Sequence, residues 1–279
     1  MSSKSRVDMM AAGSIGLCFC PPNPKFGSSQ SHPSKSSSLS PKKSSSQIKA
    51  SSSCNSLSSP LIKTLSDIHT SGVIACLRAP SAELALGAAR AALRGGIKVL
   101  EVVMSTPGVF EVLHQLVLEN PTMTLGVGTV LNTQDARIAM KVGAKFLMSP
   151  AMIKDVLADV QDHEVLYIPG VMTPTEILSA YHAGAKLVKV YPVSALGGVE
   201  YMSALKKPFH HIPMVASQGI KLGLVAEFIT RGASAVVLSD AIFPKEAIAQ
   251  GDFDTISERA ELAASTAIEA IKQLELVKQ

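Results

Sequence analysis

One stretch, Leu187-Val188-Lys189-Val190-Tyr191-Pro192, is apolar and rich in β-branched residues, as expected of a buried strand, yet it carries a lysine at its centre. Burial disfavours a charged ammonium group, so a lysine in this position tends to offer a neutral amine. A neutral amine attacks carbonyl groups and forms Schiff bases. The alternative is that the stem of Lys189 is buried while its charged head reaches water. The rest of the sequence decides between the two.

Similar apolar runs recur along the chain after residue 61, and amphipathic segments separate them. The predicted strands are 73–77, 99–104, 124–127, 145–148, 165–168, 187–191, 214–217 and 235–238. The predicted helices are 82–94, 109–118, 133–141, 152–162, 175–183, 199–205 and 222–230, followed by a turn at 244–248 and a long helix from Asp254. Strands that are apolar almost throughout are typical of a parallel sheet covered on both faces.

Eight such units, each a strand and the segment after it, predict an α/β fold of the (β/α)8 TIM-barrel class. Residues 61–71 are predicted to form an additional helix that caps the bottom of the barrel. A doubly wound open sheet is the alternative. It is disfavoured because no glycine-rich dinucleotide-binding turn follows the first predicted strand.

The first 60 residues have a different composition from the rest. They hold 21 Ser and seven Lys or Arg but one acidic residue, Asp8. Such a segment cannot bury enough apolar surface to fold, and it is typical of an organelle transit peptide. Because Ser dominates and Arg is nearly absent, we expect a chloroplast (plastid stroma) location. The predicted organisation is a disordered transit peptide over 1–50, a linker over 51–60 and the barrel over 61–279. A disordered regulatory tail is the alternative.

Charge and cysteine content exclude several classes of function. Residues 1–60 carry a formal charge of +6 and residues 61–279 a charge of −2, so the barrel lacks the cationic surface of a nucleic-acid-binding protein. No apolar stretch is long enough to predict a membrane span. Cys76 is the one cysteine after residue 60, which rules out a disulfide framework. The histidines lack metal-ligand spacing, so no metal site is predicted.

Two ionisable residues are predicted to face the inside of the barrel. Glu101 lies inside Val99-Leu100-Glu101-Val102-Val103, and alternate residues of a barrel strand point inward. Glu101 and Lys189 can therefore share one lumen, either as a structural ion pair or as a Schiff-base lysine beside a proton-shuttling carboxylate. Active sites of such barrels lie at the carboxyl ends of the strands. Arg78, Thr129 and Ser217 are predicted there, and this set suits the carboxylate of a small 2-oxo acid.

Six short motifs in order resemble the KDPG/KHG aldolase family, which acts on 2-keto-3-deoxy-6-phosphogluconate and 2-keto-4-hydroxyglutarate. They are Ala75-Cys76-Leu77-Arg78, Leu100-Glu101-Val102, Gly126-Val127-Gly128-Thr129-Val130, Phe146-Leu147-Met148-Ser149-Pro150, Tyr167-Ile168-Pro169-Gly170-Val171-Met172-Thr173-Pro174-Thr175-Glu176 and Lys189-Val190-Tyr191-Pro192. The resemblance implies a class I aldolase, a lyase of carbohydrate metabolism that needs no metal or cofactor and is commonly a homotrimer.

The same resemblance assigns a role to individual residues. Lys189 would form the Schiff base and Glu101 would be the general acid/base. The remaining assigned residues would bind the substrate: Arg78 and Thr129 at the pyruvyl carboxylate, Pro150 as a pocket wall, and Ser217, Gly219 and Ser239 along the rim. The products would be pyruvate and an aldehyde.

The predicted phosphate site departs from the family pattern. Family members that act on phosphorylated substrates carry Thr-Gly-Gly after strand 7 and Gly-Gly-Ser or Gly-Ser after strand 8, where this chain has Ser217-Gln218-Gly219 and Leu238-Ser239-Asp240. Asp240 would place a negative charge beside a phosphate, so the aldehyde half of the substrate is predicted to be unphosphorylated or differently charged. Two other functions stay open, a 2-oxo acid decarboxylase on the same site and a non-catalytic metabolite-binding barrel. The aldehyde, the pathway and the stereochemistry are not predicted.

Overall fold

The computed structural model describes residues 59–161 and 163–277. The predicted transit peptide and residues 51–58 of the predicted linker lie outside these ranges. The strands are β1 (Val73–Leu77), β2 (Val99–Val103), β3 (Thr124–Gly128), β4 (Phe146–Met148), β5 (Leu166–Ile168), β6 (Gly170–Val171), β7 (Val188–Val190), β8 (Met214–Ser217) and β9 (Ala235–Leu238). The helices are α1 (Pro60–Ser71), α2 (Ala82–Arg94), α3 (Val109–Glu119), α4 (Thr133–Lys141), α5 (Lys154–Val160), α6 (Pro174–His182), α7 (Gly198–Lys206), α8 (Val225–Thr230), α9 (Lys245–Gln250) and α10 (Phe253–Val277).

All strand pairs are parallel, in the order β5-β4-β3-β2-β1-β9-β8-β7-β6. The two ends of this order, β5 and β6, are consecutive in the chain and are separated by Pro169 alone. β5 pairs with β4, and β6 pairs with β7. Together β5 and β6 form one interrupted strand that closes the sheet into a barrel. The predicted α/β barrel with eight strand positions is therefore confirmed.

The lumen of the barrel is filled by side chains from alternate strand positions. This inner cluster holds Ile68, Ile74, Val99, Phe146, Met148, Leu166, Ile168, Leu187, Val215, Ala235 and Val237. Gly126 makes room for one of them, because a Cβ atom there would overlap the ring of Phe146. The lumen is therefore filled with apolar side chains toward the amino ends of the strands, and polar chemistry is confined to their carboxyl ends.

The capping helix α1 closes the bottom of the barrel, as predicted. Its Ile68 is 1% exposed and packs into the lumen cluster. Asp67 accepts hydrogen bonds from Thr124 at the start of β3, at 2.6 Å, and from Lys63, at 2.7 Å. The bond from Thr124 and the packing of Ile68 hold α1 across the strand ends opposite to the predicted active site, whereas the bond from Lys63 lies within the helix.

An outer apolar layer lies between the sheet and its helices. Several helices begin at a side chain that caps their free N–H groups, including Ser81, Asn132 and Thr173. The cap at Thr173 is a full capping box with Glu176. The long helix α10 packs against α2 and α8, which lie next to the seam between the first and last strands. None of the helices within the described ranges is long and apolar enough to cross a membrane.

The structure differs from the prediction in four main places. The predicted turn at 244–248 is largely helical, because helix α9 spans Lys245–Gln250. The fifth strand is interrupted at Pro169, because proline has no N–H to donate to the ladder. Helix α5 spans Lys154–Val160, which is shorter than the predicted 152–162. The predicted helix 222–230 begins as a 3-10 turn, Leu222–Leu224, and becomes helical as α8.

Candidate active site

A cavity of about 370 Å³ opens at the carboxyl ends of the strands. All eight residues that the sequence singled out line it: Arg78, Glu101, Thr129, Pro150, Lys189, Ser217, Gly219 and Ser239. Gln218 and Asp240, which depart from the family's phosphate-site pattern, also line it, and so do Cys76 and Tyr191, to which the sequence assigned no role. A larger groove of about 620 Å³ lies at the opposite end, beside α1, where barrels of this class do not place their chemistry.

Glu101 is the most unusual group in the cavity. Its side chain belongs to β2, is 2% exposed, and has an oxygen, Oε2, that is fully enclosed without a hydrogen-bond partner in the described structure. A Cβ atom at Gly128 would overlap this carboxyl group, so the glycine on β3 provides the space that Glu101 occupies. Leaving a buried carboxyl oxygen without a partner costs about 1–3 kcal/mol. A fold retains such a group where function requires it, which makes Glu101 a candidate for proton transfer.

Lys189 lies at the centre of β7 and is 6% exposed. Its backbone N–H donates to Pro169 at 2.8 Å, and its Nζ atom lies 5.2 Å from the centre of the Tyr191 ring. The ion pairs of the described ranges join other residues, namely Lys63–Asp67, Arg90–Glu119 and Arg137–Asp159. The structural ion pair between Lys189 and Glu101, which the sequence left open, is therefore absent from the described part of the chain.

Arg78 follows β1 and leans toward the end of β2. Its Nε atom donates to the hydroxyl of Ser105 at 2.9 Å. Most of the guanidinium group remains free for a ligand, because Arg has five N–H donors and this bond uses one of them. A planar cation of this kind at the mouth of a cavity suits a carboxylate.

Two rim residues adopt a backbone conformation that side chains disfavour. Thr129 has φ 63° and Gln218 has φ 82°, and neither is glycine. For a β-branched residue such as Thr129 this is a genuine outlier. Strain of this kind costs on the order of 1–3 kcal/mol and is concentrated at functional sites. Both residues line the cavity, which agrees with a binding role for this rim.

Hydrogen bonds to the buried Tyr167 hydroxyl fix the loop that carries Pro150. Ser149 and Tyr167 share a buried hydrogen bond of 2.6 Å between their hydroxyl oxygens, and the hydroxyl of Tyr167 accepts the N–H of Ile153 at 3.0 Å. Burial raises the pKa of Tyr167, so its phenol keeps its proton. A Cβ atom at Gly170 would overlap the carbonyl of Pro150. The break in the fifth strand thus lets the Pro150 loop approach the cavity.

The outer end of the cavity carries a negative charge. Asp240 is exposed there and has no ion-pair partner within the described ranges. The side-chain carbonyl oxygen of Gln218 accepts a hydrogen bond from Ser194 at 3.1 Å, which directs this side chain across the rim. A shallower space continues outward past Asp240 toward Lys221 and Arg259.

Sequence reasoning assigned no role to Cys76, Gly128 or Ser105. Strand alternation places Cys76 on the same face as Ile74, which fills the lumen, so its position was readable from the sequence. The role of Gly128 was not, since a glycine that makes room for one side chain has no sequence signature of its own. Among the described residues there is no cluster of three His, Cys, Asp or Glu side chains placed to hold a metal.

Residues 65–259 match the family model for "KDPG and KHG aldolase". The chain belongs to the KDPG/KHG aldolase family. A 2-dehydro-3-deoxy-phosphogluconate aldolase of Treponema pallidum is 35% identical over 175 residues, which cover 63% of this chain and 83% of that protein. The KHG/KDPG aldolase of Escherichia coli K12 is 28% identical over 193 residues, covering 69% of this chain and 91% of that protein.

A solved structure links the family to its chemistry. The KDPG aldolase of Legionella pneumophila superposes with a TM-score of 0.68 at 28% identity, covering 72% of this chain and 98% of that one, and it holds pyruvate as a covalent carbinolamine intermediate. As a member of the KDPG/KHG aldolase family, the present protein is a class I aldolase. It is a lyase that releases pyruvate and an aldehyde through a lysine Schiff base.

Proposed function

We propose that Lys189 forms the Schiff base and that the substrate is a 2-keto-3-deoxy sugar acid or 4-hydroxy-2-oxoglutarate. The observation that carries this proposal is the pairing of two buried groups in one cavity. Glu101 has an unpartnered oxygen and Lys189 has no carboxylate bound to it in the described structure. Neither group is held in an ion pair within the described ranges, so both are available to a ligand.

The proposed reaction uses these two groups. The Lys189 amine adds to the C2 carbonyl and water leaves, giving an iminium ion that draws electrons from the adjacent carbons. Removal of the proton from the C4 hydroxyl then breaks the C3–C4 bond. The aldehyde departs and an enamine remains, which takes a proton at C3. Hydrolysis of the resulting iminium ion releases pyruvate and regenerates the amine.

In the proposed mechanism Glu101 moves these protons, directly or through a water molecule. Its carboxylate accepts the hydroxyl proton during cleavage and returns a proton to C3. Arg78 is placed to bind the substrate carboxylate, and its bond to Ser105 fixes the direction of the guanidinium group. Thr129 and Pro150 form the adjoining wall.

The test of this function is pyruvate release from a panel of 2-oxo acids, followed in a coupled assay with lactate dehydrogenase. We expect turnover of at least one 2-keto-3-deoxy sugar acid or of 4-hydroxy-2-oxoglutarate. A folded protein that released no pyruvate from any of them would contradict the proposal. Oxaloacetate belongs in the panel, because an iminium ion also promotes decarboxylation.

The outer rim favours a substrate without a phosphate. A phosphate dianion a few ångströms from the unpaired carboxylate of Asp240 would lose about 1 kcal/mol at the dielectric of bulk water and about 4 kcal/mol at that of a protein surface. We therefore expect kcat/KM for 2-keto-3-deoxygluconate to exceed that for its 6-phosphate by about tenfold or more. Asp240→Ser should lower this ratio by about the same factor, whereas Asp254→Ser on the outer surface should not change it. A wild-type preference for the phosphorylated substrate would contradict the prediction.

We also propose that residues 1–50 direct the protein to the plastid stroma. The support is their Ser-rich, acid-poor composition, which is typical of transit peptides. A fluorescent protein fused to residues 1–60 should accumulate in chloroplasts, and N-terminal sequencing of the imported protein should give a start near Ser51. Fluorescence that stayed in the cytosol would favour a regulatory tail instead.

Assembly as a homotrimer is proposed from membership of the family, whose members commonly form trimers. Sedimentation velocity of the purified mature protein is the direct measurement. We expect a single species with three times the mass of the chain. A monomer at micromolar concentration would contradict the proposal without affecting the assignment of Lys189.

A further inference from the structure

We propose that Gln218 is a specificity-determining residue, whose side-chain amide donates a hydrogen bond to a hydroxyl group on the aldehyde portion of the substrate. The preferred substrate is then a six-carbon 2-keto-3-deoxy sugar acid with free hydroxyl groups, and not 4-hydroxy-2-oxoglutarate. The inference rests on the proposed function, in which the substrate is attached to Lys189 in the same cavity.

The backbone of Gln218 indicates that its side chain has a function. The residue lies at the rim of the cavity, directly after β8, and it has φ 82°. Glycine adopts this left-handed conformation without strain, whereas a residue with a side chain does not. A strained residue at a ligand-binding rim is retained where its side chain is needed.

A neighbouring loop fixes the direction of the Gln218 amide. Ser194 belongs to the 3-10 turn Val193–Leu196, which follows β7, the strand that carries Lys189. The hydroxyl of Ser194 donates to the side-chain carbonyl oxygen of Gln218 at 3.1 Å. A Cβ atom at Gly219 would overlap this hydroxyl, so the glycine leaves room for Ser194 beside the amide.

The bond from Ser194 decides which part of the amide is available to a substrate. The carbonyl oxygen is engaged, and the NH2 group keeps two donors for which the described ranges supply no acceptor. Lys189 is 6% exposed, whereas Gln218 is exposed at the mouth of the same cavity. A substrate bound through C2 to the lysine amine therefore extends its aldehyde portion outward, toward these donors.

Asp240 supplies an acceptor on the same rim. It follows β9, the strand that pairs with β8, and its exposed carboxylate lines the cavity. A hydroxyl group can accept from an amide and donate to a carboxylate, whereas a second carboxylate can only accept and is repelled by Asp240. The outer carbons of 2-keto-3-deoxygluconate carry hydroxyl groups, but the outer carbon of 4-hydroxy-2-oxoglutarate is a carboxylate. The rim therefore favours the sugar acid.

The experiment compares kcat/KM for 2-keto-3-deoxygluconate and 4-hydroxy-2-oxoglutarate in wild type and in Gln218→Gly. Wild type should prefer the sugar acid by about tenfold or more. Gln218→Gly relieves the backbone strain and removes the donors, so kcat/KM for the sugar acid should fall by about tenfold. The value for 4-hydroxy-2-oxoglutarate should fall much less, and the preference should be lost.

Gln218→Glu separates the donors from the shape of the side chain. Glutamate keeps an oxygen for the Ser194 hydroxyl but replaces the two N–H donors by a charged acceptor. It should lower kcat/KM for 2-keto-3-deoxygluconate at least as far as Gln218→Gly. The control is Gln161→Glu, the same substitution at the end of α5 and outside the cavity, which should have the kcat/KM of wild type.

Ser194 is a positioning residue, because it acts through the Gln218 amide. Ser194→Ala should raise KM for 2-keto-3-deoxygluconate about two- to fivefold with little change in kcat, since the donors remain but lose their fixed direction. In a Gln218→Gly background the same substitution should have no further effect, because the amide that it orients is absent. A purely structural role would lower kcat with both substrates and in both backgrounds.

Two results would overturn the inference. One is a wild-type enzyme that cleaves 4-hydroxy-2-oxoglutarate as efficiently as 2-keto-3-deoxygluconate, or more so. The other is a Gln218→Gly enzyme that keeps the wild-type preference. Thermal unfolding shows whether each variant is folded, and Gln218→Asn, which shortens the side chain and tolerates a left-handed backbone, replaces a variant that is not.

Pyruvate trapping at Lys189 separates this inference from the proposed function. If wild type and the Gln218 variants all form the adduct and the substrate preference does not change, the role of Gln218 is wrong and the aldolase mechanism stands. If no adduct forms in folded wild-type protein, the mechanism and the inference fall together.

Discussion

Replacing Lys189 with alanine is expected to reduce pyruvate release by at least about 10³-fold, the largest effect of any single substitution in this protein. Without the amine no iminium ion forms, and the C3–C4 bond has no electron sink. Lys189→Arg should be equally inactive, since a guanidinium group stays charged and is not a nucleophile. The measurement is kcat in the coupled assay for each variant.

Lys186 offers a matched control. It lies three residues earlier on the same segment, but it is exposed and lines the groove at the opposite end of the barrel. Lys186→Ala should retain wild-type kcat. Lys189→Ala should also be at least as stable as wild type, because it removes a buried amine that no carboxylate pairs within the described structure. A Lys189→Ala enzyme with substantial turnover would show that another lysine does the chemistry.

Replacing Glu101 with glutamine is the second large effect. The amide has the shape of the carboxyl group but cannot take up a proton, so we expect kcat to fall by about 10²–10⁴-fold. The stability of the folded protein should not fall, because a neutral amide is cheaper to bury than an unpartnered carboxylate. Steady-state kinetics and urea unfolding of the same preparation measure both quantities.

Gly128→Ala tests the role of the Glu101 carboxyl group without changing Glu101 itself. The new methyl group would overlap the carboxylate, so Glu101 has to move although its chemistry is unchanged. We expect a lower kcat in this variant as well. The control for Glu101→Gln is Glu111→Gln, the same substitution on the exposed surface of α3, and it should have the kcat of wild type. A Glu101→Gln enzyme with normal kcat would assign the proton transfers to another group.

Much of the barrel could be predicted from the sequence because its strands are buried on both faces. The strands at Val73–Leu77, Met214–Ser217 and Ala235–Leu238 have the predicted bounds, since each is a short apolar run. The interruption at Pro169 was not predicted. A run such as 165–168 shows where a strand begins, but the need for its last part to pair with β7 arises only when the barrel closes.

Some features of the site could likewise be predicted from the sequence and others could not. Strand alternation was enough to put Lys189 and Glu101 in one lumen, because the period of two is a local property. The unpartnered oxygen of Glu101 and the positive φ of Gln218 are products of the assembled structure and have no local signature. Cys76 was overlooked because a cysteine in an apolar strand has the appearance of a small core residue.

The most direct test of the central claim is borohydride reduction of the mature protein in the presence of pyruvate, followed by peptide mapping with mass spectrometry. The account predicts a single pyruvate-derived adduct, on the peptide that contains Lys189, and no adduct in Lys189→Ala. No adduct in a folded protein, or an adduct confined to a different lysine, would contradict it.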